Sequence, residues 1–96
     1  MYYVYILENL KGVLYKGYTS NLKLRIQEHN SGQSDSYTRG RGPWTLIYSE
    51  QFDLKEEAAA REKFFKSGKG REILKKIINK APNRGENSNT TIFSAA

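Results

Sequence analysis

Ninety-six residues support one domain with one modest core, near the lower range at which a chain folds without disulfides or structural metal. The absence of cysteine excludes a disulfide framework, a zinc–thiolate centre and a cysteine nucleophile, and makes a reducing cytoplasm the expected compartment. Sixteen Lys and Arg against ten Asp and Glu leave a formal charge of +6 and a pI near 9.6, which favours a polyanionic partner whose condensed counterions the cations displace.

Tyr2 to Leu7 is rich in aromatic and β-branched residues and predicts a strand. It lacks the basic flank and small-residue cleavage site of a signal peptide, and no apolar run approaches the roughly 20 residues that span a bilayer, so no membrane partner is expected. Leu14 to Thr19 predicts a second strand, with turn chemistry at Asn9 to Gly12 joining the two as a hairpin. Side chains alternate along a strand, so Tyr3, Tyr5 and Leu7 share one face while Tyr15, Gly17 and Thr19 share a face of the partner. Register decides whether those faces coincide.

Ser20 or Asn21 can cap a helix running to about Asn30, closed by Ser31 and Gly32. On it Leu22, Arg25, Ile26 and His29 form one stripe at i, i+3, i+4 and i+7, turned toward the sheet, while Lys23, Gln27 and Glu28 project elsewhere. Ser31 to Pro43 is polar and glycine-rich and predicts a solvent-exposed loop, in which Tyr37, Arg39 and Arg41 stand out. Trp44 to Tyr48 predicts a third strand, and Asp53 to Glu56 has the capping-box spacing that starts a second helix reaching about Lys66. Gly68 and Gly70 break it, and Arg71 to Asn79 predicts a third helix with an apolar stripe at Ile73, Leu74, Ile77 and Ile78. The expected fold is α+β, a small three-stranded antiparallel or mixed sheet flanked by three helices. It occupies residues 1–82, with 83–96 as a disordered polar tail.

Cations crowd the C-terminal part, where Lys63, Lys66, Lys69, Arg71, Lys75, Lys76, Lys80 and Arg84 face only Glu72. Such a run is either a solvated helix face or a phosphate-tracking surface. For chemistry, the only histidine, His29, has no motif-level nucleophile near it, which argues against a serine triad. Carboxylates are too few and too scattered for a paired-metal site, and no phosphate-cradling glycine loop of the P-loop type is present. What remains is tyrosines, one arginine, one histidine and one glutamate. Taken singly, each has an ordinary structural reading: Tyr5 and Tyr15 as core aromatics, Gly17 as a bulge or a close backbone contact, Arg25 as a snorkelling side chain, His29 as a residue that caps or lines a helix end, and Glu62 as an i+4 partner of Lys66.

Their joint order is more specific. Tyr3-Val4-Tyr5, then Tyr15-Lys16-Gly17, then Arg25 and His29, and finally Glu62 in Ala60-Arg61-Glu62-Lys63 resemble the GIY-YIG endonuclease family over Tyr3 to about Lys80. Gly42-Pro43-Trp44 is similar to small stand-alone members, akin to the N-terminal nuclease domain of the UvrC excision-repair subunit. The resemblance implies hydrolysis of phosphodiester bonds of DNA with a weakly bound Mg²⁺ or Mn²⁺. Tyr5 or Tyr15 would be the general base, Arg25 would neutralise the scissile phosphate, His29 would assist and Glu62 would hold the metal. Lys16, Tyr37, Arg39, Arg41, Lys66, Lys69, Arg71 and Lys76 are the expected nucleic-acid contacts. Target choice is expected from a protein partner or from DNA structure, since family members usually gain it from an appended DNA-binding domain.

The motif departs from the family pattern at Tyr3 for glycine, Val4 for isoleucine and Lys16 for isoleucine. Lys16 puts a charge where an apolar strand residue usually packs, at small cost if it faces solvent. The asparagine that some members place after the glutamate has Asn79 as its nearby candidate. These departures motivate the alternative, a nucleic-acid-binding module of the same fold with little or no cleavage.

Overall fold

In a computed structural model, which describes residues 1–33 and 37–80, the aromatic N-terminal run becomes the middle strand of a sheet. Strand β1 (Tyr2–Glu8) pairs antiparallel with β2 (Leu14–Thr19) on one side and with β3 (Thr45–Phe52) on the other. The α+β fold is as expected, and the sheet is antiparallel throughout. Helices α1 (Leu22–Ser31), α2 (Lys55–Lys66) and α3 (Gly68–Lys80) complete it. The predicted tail, residues 83–96, lies outside the described residues. No helix among the described residues is long and apolar enough to cross a membrane.

A middle strand covered on both faces needs apolar residues at every position, and Val4, Tyr5, Ile6 and Leu7 are all buried. Alternation then sorts them into two cores. Val4 and Ile6 join Ile47, Ala58, Phe65, Leu74 and Ile78 beneath α2 and α3. Tyr5 and Leu7 join Trp44 and Leu46, with Leu22 and Ile26 of α1 packed against them. The sheet is thus sandwiched between α1 and the α2–α3 pair.

Strand β3 is longer than expected and carries a register shift, Tyr48 standing opposite Ile6 and Leu46 opposite Leu7. The extra residue, Ile47, lets Ile47 and Tyr48 both turn toward the α2–α3 side. There the Arg61 guanidinium grips Glu50 through Nε at 2.8 Å and Nη2 at 3.1 Å and lies 4.5 Å from the centre of the Phe65 ring. Tyr48 donates its hydroxyl to the same carboxylate. Burial and that hydrogen bond hold the Tyr48 phenol well above its ordinary range, and the bond to Glu50 raises Arg61. This half-buried network ties α2 to β3.

The caps explain the helix limits. Asn21 accepts from the Leu24 N–H at 3.1 Å and Gly32 closes α1 at φ +79°, a left-handed conformation that favours glycine. Helix α2 is capped at Leu54, one residue later than the Asp53 spacing suggests. Its first turn uses Glu57, whose carboxylate accepts from the Leu54 N–H at 3.3 Å, while leucine has no side chain to return the bond. The third helix corrects the reading more deeply. Gly68 and Gly70 do not separate α2 from α3 but form the first turn of α3, which Ser67 caps through its hydroxyl at 3.1 Å from the Gly70 N–H. Gly70 is there for space: a Cβ would stand 1.7 Å from the Phe64 carbonyl oxygen.

Candidate functional site

Hairpin register decides the site. Tyr5 stands opposite Gly17 and Leu7 opposite Tyr15, so the two tyrosine faces coincide on the α1 side of the sheet. The Tyr5 ring lies across Gly17 so closely that a Cβ would come within 2.5 Å of its hydroxyl oxygen and 2.6 Å of Cζ. Glycine is therefore required by close approach and not by a bulge. Laid over the neighbouring strand in this way, the Tyr5 hydroxyl reaches His29 Nε2 at 2.8 Å. On the far side of the imidazole, Nδ1 meets Thr38 Oγ1 at 2.9 Å. Tyr5, His29 and Thr38 are all at most 2% exposed.

Above this buried chain lies an aromatic layer that is open to solvent at its rim. Tyr15 is half-buried and its ring contacts His29 edge-on at 4.8 Å between centroids. Tyr37, exposed, stacks on Tyr15 at 5.9 Å, and the Arg41 guanidinium covers Tyr37 at 4.8 Å. Tyr37 and Arg41 thus belong to the same cluster as the motif tyrosines. Arg39 is exposed nearby on the same loop.

Asn30 and Thr38, which help hold this layer together, were not singled out in the sequence. Thr38, expected in a solvent-exposed loop, is buried, and its carbonyl accepts from the Trp44 indole at 3.1 Å. Asn30 clamps the Trp44 backbone, accepting from its N–H at 2.6 Å and donating to its carbonyl at 3.1 Å. A single asparagine or threonine carries no pattern, so only the tertiary contacts reveal Asn30 and Thr38, whereas Trp44 already stands out in Gly42-Pro43-Trp44.

Arg25 and Glu62 are arranged differently from the expectation. Leu22, Ile26 and His29 turn toward the sheet, but Arg25 stands at the border of that stripe, 42% exposed in its side chain, with Nε 3.3 Å from Glu28. Glu28 therefore does not project away from it. Glu62 sits on α2, whose Ala58 and Phe65 pack into the opposite core from Tyr5. Its carboxylate meets Lys66 Nζ at 2.6 Å, the ordinary i+4 helix pair. Among the described residues no three His, Cys, Asp or Glu side chains gather as a metal cluster.

Lys16 is not in open solvent. It lies on the α3 side of β2, half-buried, lining a cleft with Arg71 and Lys75. Burial, then the charges of Arg71 and Lys66, lower its pKa. Lys63, Lys66, Lys69, Arg71, Lys75 and Lys76 are all exposed, forming a cationic surface on α2 and α3.

The hairpin brings the motif tyrosines and Gly17 together with His29, while Arg25 and Glu62 lie on α1 and α2. Residues 1–77 match the model of the GIY-YIG catalytic domain, and the chain belongs to the GIY-YIG family, a nuclease family. Within it the chain is similar to the UPF0213 proteins. The UPF0213 protein CPE1444 of Clostridium perfringens is 46% identical over 81 residues, 84% of this chain and 87% of that protein. The UPF0213 protein VNG_2274C of Halobacterium salinarum is 48% identical over 62 residues, 65% of this chain and 80% of that protein. Among solved structures, the solution NMR structure of the UPF0213 protein BH0048 from Bacillus halodurans is 40% identical, with a TM-score of 0.52 and 100% of both chains covered.

Proposed function

We propose that this domain is a divalent-metal-dependent endonuclease that hydrolyses phosphodiester bonds of DNA in the cytoplasm, with a protein partner or a DNA structure supplying target choice. The observation that carries this reading is the hydrogen-bonded line Tyr5–His29–Thr38 directly beneath Tyr15. Tyr5 is buried and already bonded to His29, so it is not the group that meets the attacking water. Tyr15, at the open edge of the sheet, takes that role as general base in its phenolate form, becoming the neutral phenol as it accepts the water's proton, while Tyr5 and His29 set its surroundings. With His29 Nδ1–H donating to Thr38, Nε2 is the acceptor for the Tyr5 phenol proton. Arg25, whose head is exposed, neutralises the phosphate.

Glu62 fits a hard cation as a single oxygen ligand, leaving the other positions to water and substrate oxygens, provided Lys66 yields the carboxylate. When bound there, Mg²⁺ or Mn²⁺ supplies Lewis-acid neutralisation of the phosphoryl charge. Tyr15 lies on β2, an edge strand among the described residues, and Glu62 on α2, which packs against β2 from the opposite face.

The test is incubation of plasmid and branched DNA with and without Mn²⁺, beside Glu62→Ala. Glu62, 17% exposed in its side chain, belongs to neither core cluster and meets Lys66 one helical turn on, so the variant should keep its fold and lose divalent-dependent cleavage. Undiminished cleavage by the purified variant removes Glu62 from the mechanism.

The Glu62–Lys66 pair favours the second reading, a binding module without cleavage. Both readings predict that Lys69→Glu with Lys76→Glu weakens binding to all DNA sequences alike. Affinity should fall steeply with salt, log K changing by about 0.9 per phosphate neutralised for each unit of log salt. Salt-insensitive affinity measured by fluorescence anisotropy excludes both.

A further inference from the structure

The motif's middle residue, Lys16, sits where neighbouring strand positions bear on opposite cores, Tyr15 toward α1 and Lys16 toward α3. The cleft that Lys16 lines between β2 and α3 has a volume of about 420 Å³, with Arg71 and Lys75 from α3 as the other cations. Glu8 and Glu72 also border it. Among the described residues, neither Lys16 nor Arg71 forms a salt bridge. Apolar side chains, Leu14 and Leu74 among them, form the floor.

A lysine drawn partly out of water beside Arg71 and Lys66 raises the free energy of the empty fold, because both desolvation and like charge disfavour its ammonium. An apolar residue at this strand position would avoid that penalty. Three cations against two carboxylates in a concave site, with Lys16 and Arg71 outside the salt bridges among the described residues, are an arrangement that an anion relieves. We propose that the β2–α3 cleft is a phosphate-binding subsite formed by Lys16, Arg71 and Lys75. Its ligand is a backbone phosphate of the nucleic acid that crosses the β2 edge from the Tyr15 face. That choice of ligand rests on the nuclease reading, whereas a free phosphate would offer the same chemistry without it.

Two titrations followed by ¹H–¹⁵N NMR separate the sources, one with inorganic phosphate and one with a short oligodeoxynucleotide. The oligonucleotide should move the amides of Leu14 to Gly17 and Arg71 to Lys75 together with those around Tyr37. Lys16→Ile should remove the cleft shifts and weaken oligonucleotide binding about tenfold at low salt, with the salt slope reduced by about 0.9. The same substitution should raise Tm by a few degrees, since it removes a buried like charge; Arg71→Gln, at an exposed helix position, should reproduce the binding loss. Shifts around Tyr37 without shifts in the cleft, and an unaltered Lys16→Ile affinity, overturn the subsite and leave the nuclease reading standing. If phosphate moves the cleft but the oligonucleotide moves neither region, the nucleic-acid assignment is overturned and the nuclease reading falls.

Discussion

Gly17→Ala should both destabilise the domain and abolish cleavage, although it adds one methyl group. The new Cβ would stand 2.5 Å from the Tyr5 hydroxyl oxygen and 2.6 Å from Cζ. Neither the ring nor the strand has room to yield, because Tyr5 is 1% exposed in the middle strand of the sheet. Overpacking of this kind costs about 3 kcal/mol. Moving the ring also breaks the buried bond to His29 Nε2, which adds about 1 kcal/mol. Thermal unfolding should then show Tm lowered by roughly 15 °C or more. A double-mutant cycle identifies the cause: Gly17→Ala combined with Tyr5→Leu, which shortens the side chain, should be less destabilised than the sum of the single variants. Strict additivity would mean that Gly17 is required for strand geometry and not for the Tyr5 crossing.

That crossing shows what a sequence discloses and what it withholds. The hairpin was legible because turn residues at Asn9 to Gly12 separate two runs rich in aromatic and β-branched residues; β2 runs over Leu14–Thr19 as expected. The meeting of Tyr5 with Gly17 and His29 was not, because register and helix docking are decided by contacts far apart in the chain. The glycines at 68 and 70 misled for a related reason. Local propensity makes them breakers, whereas the Phe64 carbonyl excludes a side chain at Gly70, and the glycine opens a helix by allowing that contact. Thr38 illustrates the opposite error. Its polar, glycine-rich surroundings indicate an exposed loop, yet the Trp44 indole and the His29 imidazole bury it by satisfying its carbonyl and its hydroxyl. Glu62 and Arg25 were found as positions in an ordered pattern. The Lys66 partner of Glu62 was legible as an i+4 pair, whereas Glu28, expected to project elsewhere, stands beside Arg25 only in three dimensions.

Arg25→Ala should lower the cleavage rate on the order of 10²-fold or more, the scale seen when one preorganised donor to a transition state is removed, while changing DNA affinity little. Its helix neighbours Leu22 and Ile26 do the packing, and the guanidinium, 42% exposed beside Glu28, contributes little to stability through a solvent-screened pair. Fold and Tm should therefore be preserved. The same exposure leaves the planar fork available to a phosphate, to which it can donate two parallel hydrogen bonds in exchange for the weak contact with Glu28. On the proposed reading the cations of α2, α3 and the Tyr37–Arg41 loop hold the DNA, and Arg25 stands apart from them on α1, so its loss should cost little affinity. The transition state concentrates charge at one phosphorus centre and loses more. Arg25→Lys should restore activity only in part, since a point charge cannot reproduce the fork. Single-turnover rates at saturating DNA separate the outcomes. An unchanged rate with weakened affinity would make Arg25 a binding residue and favour the module that holds nucleic acid without cutting it.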